Sequence, residues 1–250
     1  MVMEPRAGVP AGGRSRRSGE RAARGKAPHR PAASGTAAAP AGRGRTARWV
    51  VFDYAGVISL PPPEQAGALL PRTLDVAPER FWPEYWAGRR DYDTGDADAS
   101  RFWSGVCARL DRAFDPDLLE VLVALDLRAW THLNHDTVAV LEELAGAGVP
   151  LALLSNAPVE LARLIDGHPW ARLFRSRFFS ADLRLAKPDP RMFRQVCERL
   201  GADPGDLLFV DDREENVRAA EALGIESVLF TDAPRLRSAL CGAPAGLPRA

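Results

Sequence analysis

The chain has 250 residues, of which 46% are hydrophobic and 26% charged, with a formal net charge of zero. These proportions describe an ordinary soluble globular protein, and no apolar run approaches the ~18 residues that a membrane span needs. Three scattered cysteines (Cys107, Cys197, Cys241) form no CxxC pair, which excludes a zinc finger or a disulfide framework and fits a reducing cytoplasm.

The zero net charge hides two unlike parts. Residues 1–46 carry ten Arg or Lys against two acids, Glu4 and Glu20. They are Ala, Gly, Pro, Arg and Ser with almost no large apolar side chains, so this basic segment is expected to be a disordered, solvated tail. Its RSRRSGE stretch is not followed by the apolar core of ~7–15 residues that an export signal requires. The rest of the chain is mildly acidic and offers no nucleic-acid surface.

From residue 47 short apolar strands alternate with amphipathic helices, the pattern of an α/β fold with a Rossmann-like parallel sheet covered by helices on both faces. The expected strands are WVVFD (49–53), PLALLS (150–155), RFFSA (177–181), DLLFVD (206–211) and ESVLF (226–230). Expected helices include VAVLEELAGAG (138–148) and EENVRAAEALG (214–224). In DPRMFRQVCERLG, Asp189 is a helix cap, Pro190 suits the first turn, and Gly201 suits the C-terminus. Residues 60–132 break the alternation. They hold no convincing strand and read as an inserted all-helical domain, with Phe81, Trp82, Tyr85, Trp86, Phe102 and Trp103 as its core. The sheet domain is then 47–59 plus 133–235, and 236–250 reads as a C-terminal tail.

In open parallel sheets, sites form outside the carboxyl ends of the strands. The first strand delivers Asp53 there, the second Ser155 and Asn156, and the fourth Asp211 and Asp212; the loop after the third supplies Lys187. Taken singly, most have a plain explanation: Asp53 as a turn cap, Ser155 and Asn156 as turn formers before Pro158, Asp211 and Asp212 as caps of the next helix. Lys187 resists that treatment, because the chain otherwise writes basic charge as Arg and its other lysine, Lys26, lies in the tail. Together they make a chemistry. Clustered carboxylates need a cation, and hard oxygen ligands favour Mg²⁺ with room left for a phosphate oxygen. An ammonium, a hydroxyl and an amide suit the phosphate itself. An aspartate beside both is placed for in-line attack through an aspartyl-phosphate.

The ordered set FDYAGV, LLSNAP, KPDP and FVDDREEN resembles the four motifs of the haloacid dehalogenase-like hydrolase superfamily, over roughly residues 49–230. The helical insertion is similar to that family's cap domain. The SN and DD pairs resemble the branch of small sugar-phosphate phosphatases and the amino-terminal domain of soluble epoxide hydrolases. The resemblance implies Asp53 as nucleophile and Mg²⁺ ligand, Ser155 and Asn156 as phosphoryl-binding residues, and Lys187 as the group offsetting charge. Asp212 would be the metal ligand of the fourth motif and Asp211 its supporting or water-mediated partner. The implied substrate is a small phosphate ester; no motif speaks to the oligomeric state.

One position departs from the family. Most of its phosphatases carry a second Asp two residues after the nucleophile, as general acid and base; here Ala55 stands there, able to offer a metal only its backbone carbonyl. General acid–base help is typically worth ~10²–10⁴-fold. The departure keeps two other readings open: a 2-haloacid dehalogenase, and a catalytically weak or inactive protein that binds a phosphorylated ligand or a partner. Arg89, Arg90 and Tyr92, in AGRRDYDTGD, are expected either to be a solvated helix end or to reach a substrate anion from the cap.

Overall fold

The computed structural model describes residues 48–62 and 64–242. Five parallel strands form one sheet in the order β3-β2-β1-β4-β5. They are β1 (Trp49–Phe52), β2 (Leu151–Ser155), β3 (Ser176–Phe179), β4 (Leu207–Asp211) and β5 (Glu226–Leu229). Each lies within two residues of the stretch expected from sequence. Side chains alternate between the two faces of a strand, and both faces of the central strands β1, β2 and β4 are buried. Val50 and Phe52 of β1, Leu151 and Leu153 of β2, and Leu208 and Val210 of β4 enter one core. Val51, Ala152, Leu154, Leu207 and Phe209 enter the other.

Helices α7 (His135–Gly146), α8 (Val159–Gly167) and α12 (Ala233–Gly242) cover the first face, while α10 (Pro190–Leu200) and α11 (Glu214–Glu221) cover the second. The caps of α10 follow the sequence: the Asp189 side chain accepts from Arg191 N, and Gly201 closes the helix in the left-handed region at φ 60°. Two boundaries differ from expectation. α12 buries Leu236 and Leu240 in the first core, so the sheet domain runs past residue 235, where the tail was expected to begin. β3 stops at Phe179, because Ser180 turns into the short helix α9 (Ser180–Leu183). The basic segment 1–46 and residues 243–250 lie outside the described residues, as does the side chain of Cys241. Cys107 and Cys197 are buried free thiols.

Between residues 60 and 132 the regular elements among the described residues are helices: α1 (Glu64–Gly67), α2 (Leu69–Thr73), α3 (Pro78–Ala87), α4 (Arg89–Asp93), α5 (Ala99–Arg109) and α6 (Pro116–Ala129). Asp98 and Asp115 cap α5 and α6 through their side chains. This insertion has its own apolar core, in which Phe81, Tyr85, Phe102 and Trp103 are buried and Trp82 and Trp86 pack against them, so the aromatic run is core.

Arg89 and Tyr92 are a correction. Arg89 is neither solvated nor free for a ligand. It is buried, with Nε 2.7 Å from Asp93 Oδ1 and Nη1 3.3 Å from Asp126 Oδ2, and its guanidinium lies 5.2 Å from the centre of the Tyr85 ring. The Tyr92 hydroxyl donates to Glu160 at 3.0 Å; Arg90 alone of the three stays exposed. Asp126 lies 37 residues beyond Arg89, a pairing that no local pattern announces. A buried charge stripped of its partner is costly, so Asp126→Ala should destabilise the protein by about 3–5 kcal/mol. Urea unfolding checks this, and a loss under about 1 kcal/mol would mean that Arg89 is satisfied without Asp126.

Candidate active site

The chain runs from β1 outward through β2 to β3, then crosses back to β4 on the other side of β1. The carboxyl ends of β1 and β4 therefore flank the topological switch point, where parallel sheets open a crevice. Asp53 leaves β1 there, its N–H still bonded to Val210 O at 2.8 Å. The Tyr54 N–H donates to Asp53 Oδ1 at 2.6 Å and aims the carboxylate. The loop then coils back on itself, with the Tyr54 carbonyl accepting from the N–H groups of Val57, Ile58 and Ser59.

Lys187 is the centre of the cluster. Its Nζ lies 2.6 Å from Asp53 Oδ1 and 2.7 Å from Asp211 Oδ2. Asp211 is fully buried and its oxygens are fully used: Asn216 Nδ2 donates to both, at 2.9 and 3.0 Å, and Arg213 N donates to Oδ1 at 2.8 Å. Asp212 stays exposed at the rim. One carboxylate oxygen from each of Asp53, Asp211 and Asp212 lies within 4.8 Å of the others.

One ammonium does not balance three carboxylates. Burial raises the Asp53 carboxyl, Lys187 pulls it back, and Asp211 and Asp212 add to the rise; it ends at about 8. Asp212, exposed at the rim but with its carboxyl turned against the Gly56 loop, is pushed up to about 6, by partial desolvation of that carboxyl first and Asp211 second. Burial works against the charged form of Lys187, but Asp211 and Asp53 outweigh it and hold its pKa above the usual lysine range. Such a site favours a proton or a cation.

The donor set fits Mg²⁺: all ligand atoms are hard oxygens, few enough to leave the ion its waters. Gly56 belongs to the same device. It sits at φ +79°, and a Cβ there would meet Asp212 Oδ2 at 2.1 Å, so only glycine lets that carboxylate approach the loop. Ser155, also buried, has a hydroxyl oxygen without a hydrogen-bond partner; buried polar atoms are rarely left so unless a ligand completes them.

The Asn156 amide donates to Lys187 O at 2.9 Å and accepts from Lys187 N at 2.8 Å. Those two bonds fix the lysine backbone, and the amide nitrogen carries a second hydrogen beyond the one they use. Ala55 is half-buried and packs against the apolar core beneath the loop. Two site residues escaped the sequence reading, Asn216 and Gly56. The signal for Asn216 was its place five residues after Asp211, on the first turn of α11, facing back to the strand end.

A profile of the haloacid dehalogenase-like hydrolases matches residues 47–224. The chain belongs to that family. It is 31% identical to a probable phosphoglycolate phosphatase of Pseudomonas putida, over 54% of this chain and 61% of that one. It is 32% identical to (S)-2-haloacid dehalogenase 4A of Burkholderia cepacia, over 37% of this chain and 41% of the relative. These alignments span less than two thirds of either relative. Its fold is shared with a family enzyme of Bacteroides thetaiotaomicron solved with magnesium and inorganic phosphate, at TM-score 0.63 and 19% identity, over 76% of this chain and 99% of that one. No described helix is long and apolar enough to cross a membrane.

The Gly56–Asp212 contact yields a direct test. Gly56→Ala should push the Asp212 carboxylate out of the cluster and lower Mg²⁺ affinity by about tenfold or more, on the scale of metal-supporting residues. Calorimetric titration of the folded variant measures it; an unchanged affinity would remove Asp212 from the cation site.

Proposed function

We propose that this chain is a Mg²⁺-dependent phosphatase that hydrolyses a small phosphorylated metabolite through an aspartyl-phosphate at Asp53. The observation that carries the reading is the cluster itself: Asp53, Asp211 and Asp212 within 4.8 Å of one another, with Lys187 Nζ 2.6 Å from Asp53. The phosphoglycolate phosphatase relatives support it.

In this reading an Asp53 carboxylate oxygen attacks phosphorus and the ester P–O bond breaks. The alcohol leaves with a proton drawn from solvent. Water then attacks the phosphorus of the aspartyl-phosphate, which releases inorganic phosphate and restores Asp53. Lys187 and the Ser155 hydroxyl hold the charged oxygens of the phosphoryl group, and Asn156 keeps Lys187 in place. Asp53, Asp212 and the Ala55 carbonyl would hold a Mg²⁺, which would neutralise charge on the phosphoryl group. Asp211 anchors Lys187 and is not itself a ligand, since its oxygens are already engaged. Residues 60–132 act as a cap that excludes large molecules and bulk water.

A second reading is 2-haloacid dehalogenation, favoured by Ala55 and by the similarity to a haloacid dehalogenase. A third is a weakly active or inactive binding protein, again because of Ala55. One plate of aryl phosphates, alkyl phosphates and 2-haloacids, with and without Mg²⁺, separates the three. The phosphatase reading expects aryl phosphate hydrolysis that needs Mg²⁺ and disappears in Asp53→Asn. It also expects Ala55→Asp to raise turnover of alkyl phosphates, the poor leaving groups, by about 10²-fold. Metal-independent halide release, or no turnover of any ester, would overturn it.

A further inference from the structure

A line of polar contacts joins one strand-end loop to the other by way of the helical insertion. It starts beside Asp53, where the Tyr54 hydroxyl donates to Trp130 O at 2.9 Å. The Trp130 indole N–H donates to Asp126 Oδ1 at 3.2 Å, and Arg89 bridges from Asp126 Oδ2, at 3.3 Å, to Asp93 Oδ1, at 2.7 Å. The backbone carbonyl of Asp93, at the end of α4, accepts a short hydrogen bond from the Ser180 hydroxyl. The same Ser180 oxygen accepts from the backbone N–H of Ala157 at 2.8 Å. Ala157 directly follows Ser155 and Asn156.

A hydroxyl has one proton to give and two lone pairs to receive with. Ser180 gives its proton to the Asp93 carbonyl of the insertion, with the Ala157 carbonyl a longer second acceptor at 3.3 Å, and a lone pair to the Ala157 N–H, so one hydroxyl is shared between α4 and the loop. Ser180 is fully buried, where an unmade hydrogen bond is costly. Neighbouring contacts seat α4 at the same junction. Tyr92 reaches Glu160 of α8 at 3.0 Å, Arg184 donates to the Gly95 carbonyl, and a Cβ on Gly95 would stand 3.3 Å from Ala181 O.

We propose that Ser180 is a positioning residue, which transmits the docking of α4 to the backbone of residues 155–157 and so places the Ser155 hydroxyl and the Asn156 amide. The effect on turnover rests on the phosphatase reading above; the coupling between α4 and Ala157 does not.

The test uses the full chain and two readouts. Hydrogen exchange of the Ala157 amide should quicken about tenfold or more in Ser180→Ala. It should also quicken, by less, in Tyr92→Phe, which touches neither loop and only releases α4 from α8. Aryl phosphate turnover should lose about tenfold in kcat/KM in Ser180→Ala, while Mg²⁺ affinity stays within twofold of wild type, because Asp53 and Asp212 directly follow β1 and β4, away from Ser180. Ser180→Thr, which keeps the hydroxyl, should restore both readouts. A purely structural serine would lower thermal stability and leave kcat/KM of the folded protein unchanged. Ala157 exchange in Tyr92→Phe equal to wild type would overturn the coupling, even if Ser180→Ala fails to fold. Absence of turnover in the wild type would sink the phosphatase reading alone, and the exchange result would still decide the coupling.

Discussion

Lys187 is one buried ammonium facing a surplus of carboxylate. It contacts both Asp53 and Asp211, yet burial and the neighbouring carboxylates still raise the Asp53 carboxyl to about 8. Desolvated like charges at this spacing are tolerated only when something positive joins them. The features around the site follow from that imbalance. Asp211 accepts from three donors, Lys187 Nζ, Arg213 N and Asn216 Nδ2, and so fixes the lysine. Asn156 clamps the lysine backbone, and Gly56 gives up its side chain so that the third carboxylate can come close. The surplus is what suits the place to a cation.

The sheet supplies the meeting point. Central strands of a parallel sheet are buried on both faces, and their carboxyl ends emerge together at the switch point between β1 and β4. Four segments far apart in sequence are thereby brought to one rim. The helical insertion adds a second constraint. Its own core, together with the buried Arg89–Asp126 pair, makes α4 a firm surface, and α4 bears on α8 and α9 beside the Ser155 loop. The structure thus ties the insertion to the site through the Trp130 and Asp93 carbonyls, which accept from the Tyr54 and Ser180 hydroxyls.

The strands and the rim residues were legible because both are local signals. Apolar runs of four or five residues ending in Asp, Ser–Asn or Asp–Asp mark buried strands with polar ends. The scarcity of lysine singled out Lys187. What stayed hidden depended on long-range partners. Arg89 and Tyr92 look like a charged helix end until Asp126 and Glu160 arrive from other helices. Asn156 has the right chemistry for a phosphate, and only the fold shows that its amide also holds the Lys187 backbone. The helix at 233–242 is legible only once Leu236 and Leu240 have a core to enter. Asn216 was readable in principle from its spacing to Asp211, though an asparagine on a first helical turn has commoner explanations as a cap.

The balance of charge can be measured without knowing the substrate. Carboxylates must be ionised to hold Mg²⁺, so binding releases whatever protons they carry. With Asp53 at about 8 and Asp212 at about 6, Asp53 is mostly protonated at pH 7 and Asp212 is mostly not. Lower pH should add protons to be displaced and weaken binding, and higher pH should do the reverse. Titration of Mg²⁺ into the protein at pH 7, in buffers of differing ionisation enthalpy, should show about one proton released per ion, falling toward zero above pH 9 and in Asp53→Asn. Mg²⁺ binding with no proton release at pH 7, or no binding at all, would contradict an overcharged carboxylate cluster around Lys187.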